Sequence, residues 1–246
     1  MKPWARLLAA AFAAFLAGCT NTLPPQVLVV GDLTPLGKQS PPPDAAHPVY
    51  YYPLTVGYKE VGATFANEPP PPKKPEVAHT LAVALAKQNY LLMNADHPPT
   101  QLLVFWWGSM NPEIEDFGTS DPTQQVFFNE REMLALVGAY KMEMMPYWTT
   151  NEIKTAARDD RYFVVIMAFD FAAAQKRQKK LLWMAKMSTP SLGTNLTAVI
   201  PALIASGASA FGRDTMPEVL DSSQVLKEGK VVLAPLQVKE TLPEKK

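Results

Sequence analysis

The chain has 246 residues, 48% of them hydrophobic, with 23 basic and 23 acidic side chains and a single cysteine. The charge balance excludes the polyelectrolyte signature of a nucleic-acid-binding surface, and one cysteine excludes both an internal disulfide and a thiolate metal cluster. The length suffices for one sizeable hydrophobic core.

Lys2 and Arg6 form a positive n-region ahead of an apolar run from Leu7 to Leu16. That run is about half the ~20 residues a spanning helix needs, and its shape is that of a secretory signal. Leu16-Ala17-Gly18-Cys19 resembles the lipobox of bacterial lipoproteins. The resemblance implies cleavage before Cys19, a diacylglyceryl thioether on its sulfur, and acylation (palmitate, for example) of the new amino terminus. Two or more chains give stable anchoring where one does not. Thr20, in place of an Asp, implies sorting to the periplasmic face of the outer membrane under the enterobacterial rule, with inner-membrane anchoring as the alternative. Removing residues 1–18 takes away Lys2 and Arg6 and leaves a net charge of −2.

Residues 19–48 are polar and rich in proline, which suits an extended tether below the anchor. Within it, Gln26-Val-Leu-Val-Val30 has the composition of an edge strand that docks on the domain. Residues 49–236 read as one periplasmic domain and 237–246 as a loose tail. PVYYYPLTVGYKEV has strand composition broken by Pro53 and Gly57. Val77, Leu81 and Leu85 recur at four-residue steps and predict an amphipathic helix. QLLVFWW is apolar on both faces, which predicts a strand buried on both sides or at an interface. The polar stretch GSMNPEIEDFGTSDPTQQ reads as a loop. Asn129 and Glu132 have capping-box spacing, ahead of a stripe made by Met133, Leu136, Val137 and Tyr140.

RYFVVIMAFDF and KLLWMAKMS flank AAAQKRQK and predict a hairpin with a short basic loop. The first of these runs has the two-faced apolarity of a central strand. LTAVIPALIASGASAFG reads as an apolar helix that starts near Pro201 or bends there. KVVLAPLQV has the composition of one more short strand. The order points to an α+β two-layer sandwich, a mixed or antiparallel sheet with helices packed on one face.

This order, with Leu81, Leu85 and Tyr90, QLLVFWW, Trp183 in the second hairpin strand and the helix from Leu196, resembles a loose group of bacterial envelope lipoproteins that lack an assigned activity. The resemblance implies fold and location rather than chemistry.

Catalytic motifs are absent from the sequence. His47, His79 and His97 do not have metal-ligand spacing, and neither HExxH nor a P-loop occurs. Ser209 sits in GASAF, which fails the nucleophile-elbow pattern at its last position. Met142, Met144 and Met145 offer thioethers for a soft metal, yet methionine fills core gaps throughout this chain. The binding candidates are therefore Trp106 and Trp107 with the acidic residues Glu113, Glu115 and Asp116, and the basic tip Lys176, Arg177, Lys179 and Lys180. Tryptophan beside paired carboxylates suits a glycan or small ligand, and even a weak hydrolase. The same tryptophans suit core packing equally well by their size. The basic tip suits an anionic lipid or an acidic partner. No cofactor beyond the lipid on Cys19 is expected. The function expected from these features is that of a membrane-anchored, non-catalytic accessory or structural partner of an envelope complex, the ligand-binding lipoprotein being the alternative.

Overall fold

The computed structural model describes residues 26–62, 70–112, 114–115, 126–127, 130–144 and 147–221. The lipobox with Cys19, and the strand expected at KVVLAPLQV, lie outside the described residues.

Strand β1 (Gln26–Leu33) leads through a 3-10 turn (Gly37–Gln39) to β2 (Val49–Val61). Helix α1 (Lys74–Ala86), β3 (Tyr90–Leu92) and β4 (Gln101–Met110) follow. A two-residue ladder, β5 (Ile114–Glu115) with β6 (Val126–Phe127), stands apart from the main sheet. Next come α2 (Glu130–Leu136), a 3-10 turn (Ala139–Met144), α3 (Tyr147–Ala156) and β7 (Arg161–Asp170). The chain continues through α4 (Phe171–Gln175), β8 (Leu181–Pro190), α5 (Leu196–Gly207) and β9 (Glu218–Asp221).

The seven-stranded sheet has the order β3-β2-β4-β7-β8-β1-β9. Strand β2 pairs in parallel with β3 and β4, and every other pairing is antiparallel. The fold is thus an α+β sandwich on a mixed sheet. Alternation along the strands divides its side chains between two cores. On one face, Leu103, Phe105, Trp107, Val164, Ile166 and Trp183 pack under α1 and α5. On the other, Met110, Phe163, Val165 and Leu28 pack under α2 and α3. The expectation of helices on one face is corrected here. Central strands apolar on both sides require cover on both, and α2 and α3 supply part of it.

Three local outcomes differ from the sequence reading. Gln26–Leu33 is an inner strand, bonded to β8 on one side and β9 on the other, rather than a tether segment with an edge strand. Gly108, Ser109 and Met110, read as the start of a loop, prolong β4 and pair with both β2 and β7. Tyr140, assigned to a buried stripe, is 51% exposed, while Met133, Leu136 and Val137 are buried as expected.

Helix α5 begins at an Asn195 cap, whose side chain accepts from the Ala198 amide at 2.9 Å. Pro201 therefore lies inside the helix, on its exposed side. There the missing N–H frees a carbonyl that water can reach. Among the described residues no helix is long and apolar enough to cross a membrane.

Candidate functional site

Strand β4 is the key to the site. Its odd-numbered residues Leu103, Phe105 and Trp107 are at most 2% exposed under α1 and α5. Its even-numbered residues Leu102, Val104 and Trp106 lie on the opposite face and are only partly buried. Helices α2 and α3 cover the end of that face near Met110 and Phe163, and none of the described helices continues over the rest.

The uncovered area is apolar in three registered rows. Tyr52 on β2 pairs with Leu102, and Leu102 with Phe169 on β7. Leu54 pairs with Val104, and Val104 with Met167. Trp106 lies between Gly57 and Val165. Tyr52, Leu54 and Val56 are 43%, 47% and 44% exposed, which is high for large side chains on a sheet face. Phe171 extends the patch, its ring 6.1 Å from that of Tyr52. At the other rim the Lys59 ammonium sits 5.8 Å from the Trp106 ring centroid, within cation–π range. Two inter-strand spacings make the patch about 10 Å wide, the diameter of one helix.

The neighbouring edge is built against strand addition. Strand β3 pairs with β2 only as far as Tyr51, so the later part of β2 is an open edge among the described residues. Pro53 removes a donor there, the register shifts between Thr55 and Gly57, and Gly57 takes φ +95°. Lys59 and Glu60 put charge on the same edge. Proline, a bulge and charges each disfavour edge-to-edge pairing. The sheet therefore offers its face rather than its edge.

A partly buried polar cluster lies on the same face, on its β8–β1 side, where Asp32 is in register through Met184 and Met167 with Val104, and Lys186 through Val165 with Trp106. Lys141 Nζ donates to Gly31 O at 2.6 Å, Thr215 O at 2.7 Å and Asp214 Oδ1 at 2.8 Å, and stands 3.1 Å from Asp32 Oδ1. Tyr140 Oη donates to Asp32 Oδ2. Lys186 Nζ donates to Ala135 O at 2.8 Å and lies 4.5 Å from the Tyr140 ring centroid. Burial pushes the Lys186 ammonium pKa below its usual value. The hydrogen bond from Lys141, then that from Lys38, holds the Asp214 carboxyl below the usual carboxylate range against some desolvation. Although half of Tyr140 is exposed, desolvation of its hydroxyl, aided by the hydrogen bond to Asp32, holds the phenol well above its usual value. These groups satisfy one another and tie β1, the 3-10 turn at Ala139–Met144 and the loop after α5 into one unit. Asp214 also borders a cleft of ≈ 550 Å³, together with Lys38 and Arg213.

Of the sequence candidates whose side chains are described, Trp106 alone falls on the open face. Trp107 is at 0% exposure in the other core, so its position does not fit a surface contact, and the adjacent pair is split by strand alternation. Glu113 and Asp116 lie outside the described residues. Glu115 is placed in β5 opposite Val126, and its side chain lies outside the described part. The basic residues Lys176, Arg177, Lys179 and Lys180 are exposed, in the connection after α4. Gln101 pairs with Asp170 at that end of the sheet, and Met110 pairs with Arg161 at the other. His97 stacks on Tyr50 with ring centroids 4.3 Å apart, and His47 pairs with Asp44. Among the described residues no group of three or more His, Cys, Asp or Glu could hold a metal ion. The signal that separates the two tryptophans is strict alternation with Leu103 and Phe105. The Lys141 cluster leaves no such signal, because its partners come from 73 and 110 residues away.

No family model and no curated protein matches the sequence. Among solved structures, it is similar to a PelC dodecamer from Paraburkholderia phytofirmans, at 10% identity and a TM-score of 0.33, over 76% of this chain and 98% of that one. A variant of the same protein in another crystal form gives 12% identity and a TM-score of 0.32, over 75% and 97%. A PDZ domain protein from Parabacteroides distasonis gives 13% and 0.34, over 84% of this chain and 41% of that one. At such scores these likenesses carry no functional argument.

Proposed function

We propose that this protein is a lipid-anchored periplasmic protein of the outer membrane that acts as a non-catalytic accessory of an envelope complex. Its partner is a protein that lays an apolar, helix-sized surface on the open sheet face. The observation that carries this reading is the three-strand patch of Tyr52, Leu54, Leu102, Val104, Trp106 and Met167, flat and without cover among the described residues. Apolar patches of that kind on a folded domain mark interaction sites, and Trp106, half-buried where the patch meets the core under α2 and α3, offers the large aromatic such contacts use as an anchor.

The topology also supports an orientation. Gln26, seven positions after Cys19, enters the sheet at the end shared by Thr189 and Arg161. Seven residues of extended chain reach at most about 25 Å. An anchor on Cys19 therefore holds that end toward the membrane and turns the Lys176–Lys180 tip toward the periplasm. The tip is then better placed for an acidic protein than for the lipid surface below.

The test is chemical cross-linking in intact cells, comparing the wild type with Cys19→Ala and Trp106→Glu. One dominant protein adduct, lost in both variants, supports anchored docking. An adduct that survives Trp106→Glu removes the open face from the account.

A further inference from the structure

A cleft lies on the other side of β2, under α1. It is a cleft of ≈ 500 Å³ whose floor includes Leu103 and Phe105 and whose walls include Pro53, Leu85 and Ala82. That volume is within the range of small-molecule sites. The cleft exists because α1 presents Ala78 and Ala82 to β2 where larger side chains would close the gap. Its lining is mostly hydrocarbon, interrupted by Tyr51, Thr55 and His79 and by Lys74. Thr55 Oγ1 is buried there without a hydrogen-bond partner. Thr55 stands at the β2 register shift, beside Gly57.

The mouth is different in character. Lys74, the first residue of α1, lies across Gly57, so close that a Cβ on Gly57 would come within 2.7 Å of Lys74 Cε. Among the described residues no hydrogen bond or ion pair joins Lys74 to a partner. Lys73 precedes it, and no side chain caps the helix start. The opposing charge nearby is Glu76, in the first turn. An uncapped helix N-terminus with two lysines favours an anion.

We propose that this cleft binds a single-chain amphiphile with an anionic head. The hydrocarbon chain lies between α1 and β2, the head rests at Lys74, and Thr55 Oγ1 offers a hydrogen bond within the cleft. Chain burial supplies the affinity, since each methylene leaves water, and Lys74 supplies the preference for an anion over a cation. Carboxylate and phosphate heads share this chemistry. The site is separate from the open face, with the sheet between them.

The experiment uses the full chain in phosphatidylcholine nanodiscs and two photoreactive probes, a diazirine palmitate and a diazirine hexadecylamine. The palmitate probe should label peptides around 51–55 and 75–85 saturably, and the amine should not. Ala82→Phe should cut that labelling about tenfold by filling the cleft. Should that variant fail to fold, Ala78→Leu fills the same space with a smaller change. Lys74→Gln should cut palmitate labelling about two- to fivefold, the size of a partly screened charge contact. Trp106→Ala should leave labelling unchanged, which separates this site from the docking face. Competition by unlabelled palmitate identifies a fatty-acid head, and competition by lysophosphatidylglycerol a phosphate head. Labelling that neither competes, that the amine matches, or that survives both filling variants overturns the proposal.

Discussion

Trp106 and Trp107 are neighbours in the chain and lie on opposite faces of one sheet. Trp107 is at 0% exposure, while Trp106 is half-buried with the Lys59 ammonium 5.8 Å from its ring centroid. Truncating them should therefore have separable effects. Trp107→Ala should cost about 3–5 kcal/mol, as expected for a fully buried aromatic. Trp106→Ala should cost about 1 kcal/mol and act on partner binding instead. Trp107 Nε1 has no hydrogen-bond partner in its core, so Trp107→Phe, which removes the orphan donor, should recover much of the loss. Urea unfolding of the three variants checks this.

Lys141 is the fastener of the domain's polar corner. Its ammonium bonds two carbonyls and two carboxylates drawn from β1 and the segment at Asp214–Thr215. Lys141→Met should cost about 3–5 kcal/mol, because it strands buried acceptors and leaves Asp32 uncompensated. The measurement is the shift in urea midpoint, with the slope against urea unchanged.

Asp214 makes stability depend on acid. Its folded pKa lies below the ordinary value of 3.8, so its contribution is complete above that value and is lost as pH falls through the folded pKa. Asp214→Asn should therefore lower the melting temperature at pH 6 and matter progressively less below about pH 4. Lys186 acts in the opposite range. Burial lowers its pKa from 10.5, so the unfolded chain holds its proton longer, and stability from this group rises as pH climbs toward 10.5. Melting temperature against pH for wild type, Asp214→Asn and Lys186→Met separates the two contributions.

Gly108 sits where β4 meets β2 most closely. A Cβ at that position would collide with the backbone carbonyl oxygen of Lys59, which cannot swing aside as a side chain can. Gly108→Ala should cost about 3 kcal/mol or more and loosen the β2–β4 pairing from Lys59 to Val61. Amide exchange of those residues reports it.

The strands and helices with regular apolar spacing were legible in the sequence, and the sites were much less so. The runs at Gln101 and Arg161 are apolar on both faces, and that pattern alone requires a sheet covered on two sides. The second cover, α2 and α3, is short and weakly patterned, so the reading of helices on one face followed. Gln26–Val30 was legible as a strand but not as an inner one, because the two strands that flank it, β8 and β9, lie far along the chain. A continuous run such as QLLVFWW does not say which residues have a roof. That depends on where α2 and α3 end, which is a tertiary outcome. The cleft under α1 was likewise invisible, because alanines at positions 78 and 82 do not announce a gap until the bulge at Thr55 is known.

The most direct test places a photo-cross-linking amino acid at Leu54 on the open face, and at Lys180 on the far basic tip, in the full chain in intact cells. The account predicts one reproducible protein adduct from Leu54, with the cross-linked peptide mapping to an apolar helical surface, and its loss when Trp106→Glu is added. No protein adduct from Leu54 in cells where Lys180 does cross-link, or an adduct indifferent to Trp106→Glu, would contradict the open face as the docking surface.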